Sequence, residues 1–355
     1  MSVAVVETGA RRERKRFAAT LCVLMALSVL AILLSLETGA ADASLADLWQ
    51  ALVADGDLTP AQKVVANLRL PRALLGAVVG IHFAIAGLIL QAILRNPLAE
   101  PGVLGVSSGA SLAVVISILA ANALWADPDG FELISFPATS VPFIALVGGI
   151  AASATVLWIS WDRGLSPQRL ALGGVVAGTI INALVMVVIV SFGAGRAEMA
   201  ILWLAGTLFG RGFDVLLPTL GWTIAALLVL PVLAKPLSLL RFGEDFARSM
   251  GLNVLLWRLV AAFVAIGLTA SAVSAAGPIG FVGLIVPHMA RLLVGGNMGH
   301  LIPTSALIGI ILTVGTDWLG RVLFAPLEVP VGVITSLIGV PIFLVILQRN
   351  LWKLT

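Results

Sequence analysis

Ten times along this 355-residue chain the sequence runs apolar for about the length that a helix needs to cross a bilayer. The runs cover residues 17–36, 72–94, 103–123, 141–160, 170–192, 216–235, 258–276, 279–295, 301–321 and 330–348. A hydrocarbon core of roughly 30 Å takes about 20 residues of helix. The runs are continuously apolar, without the alternation of barrel strands, so helices are predicted. Helices also satisfy their own backbone hydrogen bonds where no water is at hand. Composition points the same way: 60% of residues are hydrophobic, 11% are charged, and mean hydropathy is +1.10. Soluble domains sit near half apolar and about a quarter charged. The predicted fold is an all-α polytopic membrane protein, one transmembrane domain over residues 1–355 with about ten spanning helices. No Pro/Ser-rich linker or low-complexity tract marks a second domain.

The first run follows a basic stretch, Arg11-Arg12-Glu13-Arg14-Lys15-Arg16. A cleaved leader would resemble this, but its apolar region is about 7–15 residues, shorter than the stretch to Leu36. We read a retained first helix after a basic N-terminus, residues 1–16. With ten spans and both termini on one side, that side holds 15 of the 21 Lys and Arg. The rest are Lys63, Arg69, Arg72, Arg196, Arg211 and Arg321. The positive-inside rule then places both termini in the cytoplasm.

Ionisable groups within spans are functional suspects because lipid makes them costly. His82, His288 and Asp317 qualify. Asp317 and Arg321 are four apart, so they can pair on one helix face; His82 reads as a packed, hydrogen-bonded histidine. His288 and Arg291 fall near the cytoplasmic end of the eighth run, where a long cation can snorkel to the headgroups. One cysteine, Cys22, excludes an internal disulfide, and three scattered histidines show no metal-ligand spacing. The four lysines are preceded by Arg, Gln, Ala and Trp, so the Gly-Lys-Ser/Thr of a P-loop is missing. No cofactor is expected in this chain.

Several motifs then follow in order. Arg69-Leu70-Pro71-Arg72 precedes Gly80, Gly87 and Gln91, and Asn96-Pro97-Leu98-Ala99-Glu100-Pro101-Gly102 follows. Proline disfavours a helical predecessor, so Asn96-Pro97 ends one span, and Pro101-Gly102 permits a reversal into the next. Further on come Gly243-Glu244-Asp245-Phe246-Ala247-Arg248-Ser249-Met250-Gly251, then Gly277-Pro278-Ile279-Gly280-Phe281 leading to Pro287-His288-Met289-Ala290-Arg291. Asp317, Arg321 and Glu328-Val329-Pro330 close the series. Residues 236–257 are the longest polar connection between spans, and Glu244 to Gly251 suits a short amphipathic helix ended by glycine.

As an ordered set these motifs resemble the FecCD family, the permeases of iron–siderophore, haem and vitamin B12 importers, over about residues 17–350. The resemblance implies a type II ABC importer permease in the bacterial inner membrane. ATP and Mg would be bound by partner ATPase subunits. Further implied partners are a second permease, identical or paralogous, and a periplasmic or lipid-anchored substrate-binding protein. The cargo would be a metal chelate; lipid surrounds the chain and no nucleic-acid partner is expected. Within 236–257 it implies a coupling helix, with Gly243, Glu244, Asp245, Ala247, Arg248 and Gly251 at the ATPase contact. It places Arg69 and Arg321 against carboxylates of the binding protein, a task that suits the guanidinium fork. Asn96, Pro97, Pro287, His288, Arg291 and Asp317 would be structural motif residues. The cytoplasmic gate of the vitamin B12 importer has two small hydroxyl residues at the turn matched by Ser166, Pro167 and Gln168; Pro and Gln stand in their place here.

Siderophore, haem and cobalamin cargoes stay open at this point. An ion-coupled secondary carrier is the rival from another class; such carriers show buried acids or broken helices at ion sites, and Asp317 is the acid available. A rigorously pure preparation of this chain is expected to hydrolyse no ATP. Turnover by that preparation in a coupled phosphate-release assay would overturn the subunit reading.

Overall fold

The computed structural model describes residues 3–39, 41–53, 57–124, 140–162, 165–192 and 200–351. Arg163, Arg196 and Lys353, counted above for orientation, lie outside them. Among the described residues the fold is all-helical, apart from an isolated bridge between Trp161 and Leu165. The helices are α1 (Val3–Glu37), α2 (Leu45–Val53), α3 (Pro60–Val64), α4 (Leu70–Ile93), α5 (Val106–Leu124), α6 (Ser140–Ile159) and α7 (Pro167–Phe192). They continue as α8 (Phe213–Phe242), α9 (Glu244–Ser249), α10 (Val254–Ala276), α11 (Val282–Val294), α12 (Met298–Val322) and α13 (Val331–Leu351). Among the described residues seven helices are long and apolar enough to cross a membrane, and three shorter apolar ones begin at Val106, Val282 and Val331. Together they sit on the ten apolar runs.

Local chemistry explains several boundaries. Thr59 and Gln62 form a reciprocal capping box at the start of α3, which runs through a π-turn at Val65–Arg69 into α4. The Asn253 side chain accepts from Leu256 N–H at the start of α10, and Asn297 does the same for Gly299 before α12. After α4, Arg95 turns left-handed and the Asn96 side chain accepts from Leu98 N–H at 2.9 Å, which closes the Asn-Pro turn.

Two boundaries and one further helix differ from the sequence reading. The span expected to stop at 235 continues to Phe242, past Pro236, because Leu237 and Leu240 are buried and extend its packed face. The polar connection is therefore shorter than 236–257. The run at 279–295 becomes helical only at Val282, since Gly277 and Phe281 adopt positive φ and hold 277–281 out of helix. The amphipathic α2, with Trp49 and Leu52 exposed, was not expected; nine residues are too few to register as a span.

The bundle is built around α4, which α8, α10, α11 and α12 enclose. In the continuous helix Pro60–Ile93, 89% of the most apolar window is buried, against 11% for the first span and 17% for Pro167–Ser191. So α4 belongs to the core, and α1 and α7 present their sides to lipid or another chain. Lipid is as apolar as leucine, so close packing must drive this association. Glycine permits it: a Cβ on Gly87 would stand 2.0 Å from the Gly283 carbonyl oxygen, and one on Gly80 2.3 Å from that of Gly309. Gly87→Ala is therefore expected to lower the thermal unfolding midpoint in detergent, at an overpacking cost of about 1–3 kcal/mol. Gly221→Ala, which meets nothing within 4 Å, should be neutral or stabilising; equal midpoints for the two variants would refute the close-contact account.

Candidate functional site

At the end of the bundle where α4 begins, a polar network crosses four segments. Arg72 reaches Asp317 on α12 through Nε, at 3.2 and 3.1 Å, and through Nη2 at 2.9 Å. Its Nη1 meets Glu328, in the α12–α13 loop, at 2.8 Å. Arg321 Nε shares the same Asp317 at 3.2 Å, so the pair expected one helical turn apart is present. The rest of the Arg321 fork donates to Ser35 and to the Thr38 carbonyl at the end of α1. Arg69 donates to the carbonyls of Leu36, Glu37, Ala41 and Ala43. One buried carboxylate thus holds two guanidinium groups, and the remaining donors stitch the chain after α1 onto α4 and α12.

This placement changes what Arg69 and Arg321 can offer a partner. They are 6% and 9% exposed, with their donors engaged inside the protein. Glu328 forms the exposed edge of the network. A neighbouring cavity of about 270 Å³ is lined by Arg69, Arg72, Arg211, Arg321 and Glu328 among others. Burial pulls the Arg211 guanidinium below its ordinary range, against the opposing pull of Asp214. Arg72 and Arg211 belong to the cluster although their spacing alone did not single them out. The repeated arginine in Arg-Leu-Pro-Arg was the available signal for Arg72.

At the opposite end, α9 sits between two glycines with positive φ, Gly243 at 119° and Gly251 at 80°. Both are conformations that a side chain would strain, so the chain can turn sharply out of α8 and back into α10. Ala247 is fully buried, while Asp245, Phe246, Arg248 and Met250 are exposed. Phe246 packs edge-on against Phe242 at 5.5 Å. Glu244 accepts from Arg248 at 3.1 Å and from Arg258 at 2.8 Å.

Close by is the α6–α7 turn. Pro167 opens α7, and the Ser166 hydroxyl accepts from Arg169 N–H at 3.2 Å, an ordinary helix start of cap and proline. Gln168 is exposed. Gln91, buried on α4, donates to the carbonyls of Ala99, Gly283 and Leu284 and accepts from Arg291. The turn after α4 and helix α11 are thereby tied together, with Pro287 buried inside α11 and His288 half-buried beside it. His82 is fully buried and bonded to the Thr223 hydroxyl at 2.8 Å.

A polar chamber of about 350 Å³ opens between α7 and residues 278–283, lined by Glu100, Ser107, Ser108, Thr179 and Asn182. Burial raises the Glu100 carboxyl above its ordinary value, opposed by the hydrogen bond it accepts from Phe281 N–H. Among the described residues no group of three or more His, Cys, Asp or Glu is placed to hold a metal ion.

The model of the FecCD transport family matches residues 26–349. The Fe(3+)-citrate import system permease protein YfmE of Bacillus subtilis is 35% identical over 80% of this chain and 82% of its own length. The iron(3+)-hydroxamate import system permease protein FhuG of the same organism is 36% identical over 81% and 84%. A solved metal-chelate type ABC transporter in an inward-facing conformation superposes with TM-score 0.78 and 29% identity, over 93% of this chain and 98% of that one.

Asp317→Asn would leave Arg72 and Arg321 without their shared counter-charge. The expected loss is about 3–5 kcal/mol, as when one partner leaves a buried ion pair. It should be read as a drop in thermal midpoint with insertion retained. An unchanged midpoint would show that solvent already screens the network.

Proposed function

The chain belongs to the FecCD transport family, and from that premise we propose that it carries a ferric chelate, of the siderophore or citrate type, through the bacterial cytoplasmic membrane. It is the multi-pass permease subunit of an ABC importer, and ATP is hydrolysed by a partner chain. The two relatives described above are named for ferric citrate and ferric hydroxamate import, which supports a chelate with oxygen ligands. A chelate also suits a chain whose described residues group no metal ligands, because the metal then travels inside its chelator.

The observation that carries the mechanism is α9. It is a short helix at one end of the bundle, set off by two glycine bends, with an apolar and charged face turned outward. We assign this face to a cleft of the ATPase: Phe246 as anchor, Asp245 and Arg248 as the polar rim, and Gly243 and Gly251 as the bends that let α9 tilt. Both termini then lie in the cytoplasm with α9, and the Arg72–Glu328 edge faces the outside. There the binding protein docks, with Arg69 and Arg321 shaping the platform from beneath. A second permease, identical or paralogous, covers the exposed side of α7, and the polar chamber beside Glu100 opens on the path between the two. Asp317 is the buried carboxylate among the described residues, and both its oxygens are bonded to the guanidinium groups of Arg72 and Arg321. A carboxylate with both oxygens committed to a structural ion pair offers no free acid to a coupling ion, which argues against an ion-coupled carrier.

Phe246→Asp is expected to leave the chain inserted, since the side chain is half-exposed. It should strip the ATPase from the purified complex. Losing an apolar anchor of this kind costs about 2 kcal/mol or more, about thirtyfold in affinity. Uptake of radio-iron as ferric citrate and as a ferric trihydroxamate, in cells carrying the intact operon, should fall with it. Wild-type amounts of co-purified ATPase would remove α9 from the contact.

A further inference from the structure

Arg258, on the first turns of α10, stands apart from the motifs that single out α9. It is 3% exposed, far too buried to snorkel. Its Nη2 donates to Glu244, the first residue of α9, at 2.8 Å. Its Nη1 donates to the backbone carbonyl of Leu165, in the α6–α7 turn. Its Nε is buried with no partner. A guanidinium is planar and rigid, so two branches of one fork fix the distance between the groups they hold. An ammonium offers a point charge without that geometry.

The two ends of this clasp belong to units that are themselves braced. Glu244 is held on its second oxygen by Arg248, and α9 packs on α8 and α10. Leu165 is buried, bridges back to Trp161, and precedes the Ser166 cap of α7. Arg169, on the first turn of α7, pairs with Asp162 across the same turn. Between the units lies a cavity of about 190 Å³ lined by Asp162, Leu165, Ser166, Glu244, Arg248 and Arg258. They face each other across partly open space, both packed against α10, and the Arg258 fork is hydrogen-bonded to both. A displacement of α9 carries Glu244 with it. A buried cation cannot give up its counter-charge cheaply, so Arg258 follows and draws the Leu165 carbonyl along.

We propose that Arg258 is the positioning residue that makes α9 and the α6–α7 turn move as one body, so that a push on α9 arrives at the start of α7. This rests on reading α9 as the ATPase contact. It adds a route by which that contact reaches α7, the helix that lines the polar chamber and presents its side to a neighbouring chain. Arg258 touches neither ATPase nor cargo; it acts through Glu244 and Leu165.

The test uses the full-length chain with its co-purified ATPase in nanodiscs, with Cys22→Ser to remove the exposed native thiol. Spin labels are placed at Ser249→Cys on α9 and Trp161→Cys in the turn, both exposed positions. Distance distributions are recorded without nucleotide and after trapping with ATP and vanadate. With Arg258 present, a single narrow distance is expected, the same in both states. In Arg258→Gln the distribution should broaden by about twofold, as two segments that fluctuate independently do, and shift between states, while ATPase co-purification and hydrolysis persist. Arg258→Lys, which can hold one end but not both, should fall between them. It carries the test if Arg258→Gln does not accumulate.

Wild-type width in Arg258→Gln or Arg258→Lys overturns the proposal, as does a distance that changes on trapping in the intact chain. Loss of the ATPase from Arg258→Gln together with an unbroadened distance makes the residue a support for α9 alone. Failure of the reading beneath is separately visible: if the unsubstituted chain brings down no ATPase, α9 is not the contact. The nucleotide-free widths then still judge the clasp.

Discussion

The structure depends on how closely its helices approach α4. In lipid no hydrophobic gain is left to press one apolar helix on another, so dispersion contacts and interhelical polar bonds must hold the bundle. Both grow with proximity, and a side chain at the contact would forbid it. Gly80 meets Gly309 and Gly87 meets Gly283, backbone against backbone. With α11 and α12 drawn in at these points, α8 and α10 complete the enclosure of α4. The least buried helices remain at the periphery, where lipid or a neighbouring chain covers them.

That same enclosure makes the polar networks affordable. Arg72 leaves α4 and meets Asp317 on α12, and Arg321 shares the carboxylate. Away from bulk water such a group is stable only when its bonds are nearly complete. The carbonyls at the end of α1 and just after it supply what the acid does not, through Arg69 and Arg321. Gln91 repeats the arrangement nearer the other end, joining the turn after α4 to α11 and to Arg291. Each network ties segments distant in sequence, so the two ends of the bundle are stiff where α4 enters and leaves it.

The end carrying α9 is built differently. Glycine bends and a short helix replace tight interhelical packing, and one arginine spans a partly open cavity. Stiff ends and a jointed attachment suit a subunit that is driven from outside: the scaffold keeps its shape while a small element is displaced. Helix tilts of this kind are an established way to amplify a local contact change.

By itself the sequence determined the solvent, the helical class and the approximate spans, because length and apolarity follow from bilayer thickness with no tertiary information. It also carried the family, through motifs that survive as ordered strings, and the Asp317–Arg321 spacing, which is local to one helix. Tertiary structure alone decided the rest. Nothing in the chain order says that Arg72 would take Asp317 from the far end of the sequence. Nor does it say that Arg69 and Arg321 would spend their donors on carbonyls near Leu36 and Thr38, or that Arg258 would join Glu244 to Leu165. Those pairings arise because helices cross in three dimensions and a buried cation takes whichever acceptors the crossing delivers. Even the overrun of α8 to Phe242 was decided by a packed face, with Leu237 and Leu240 outweighing the polarity that marked 236–242 as a loop.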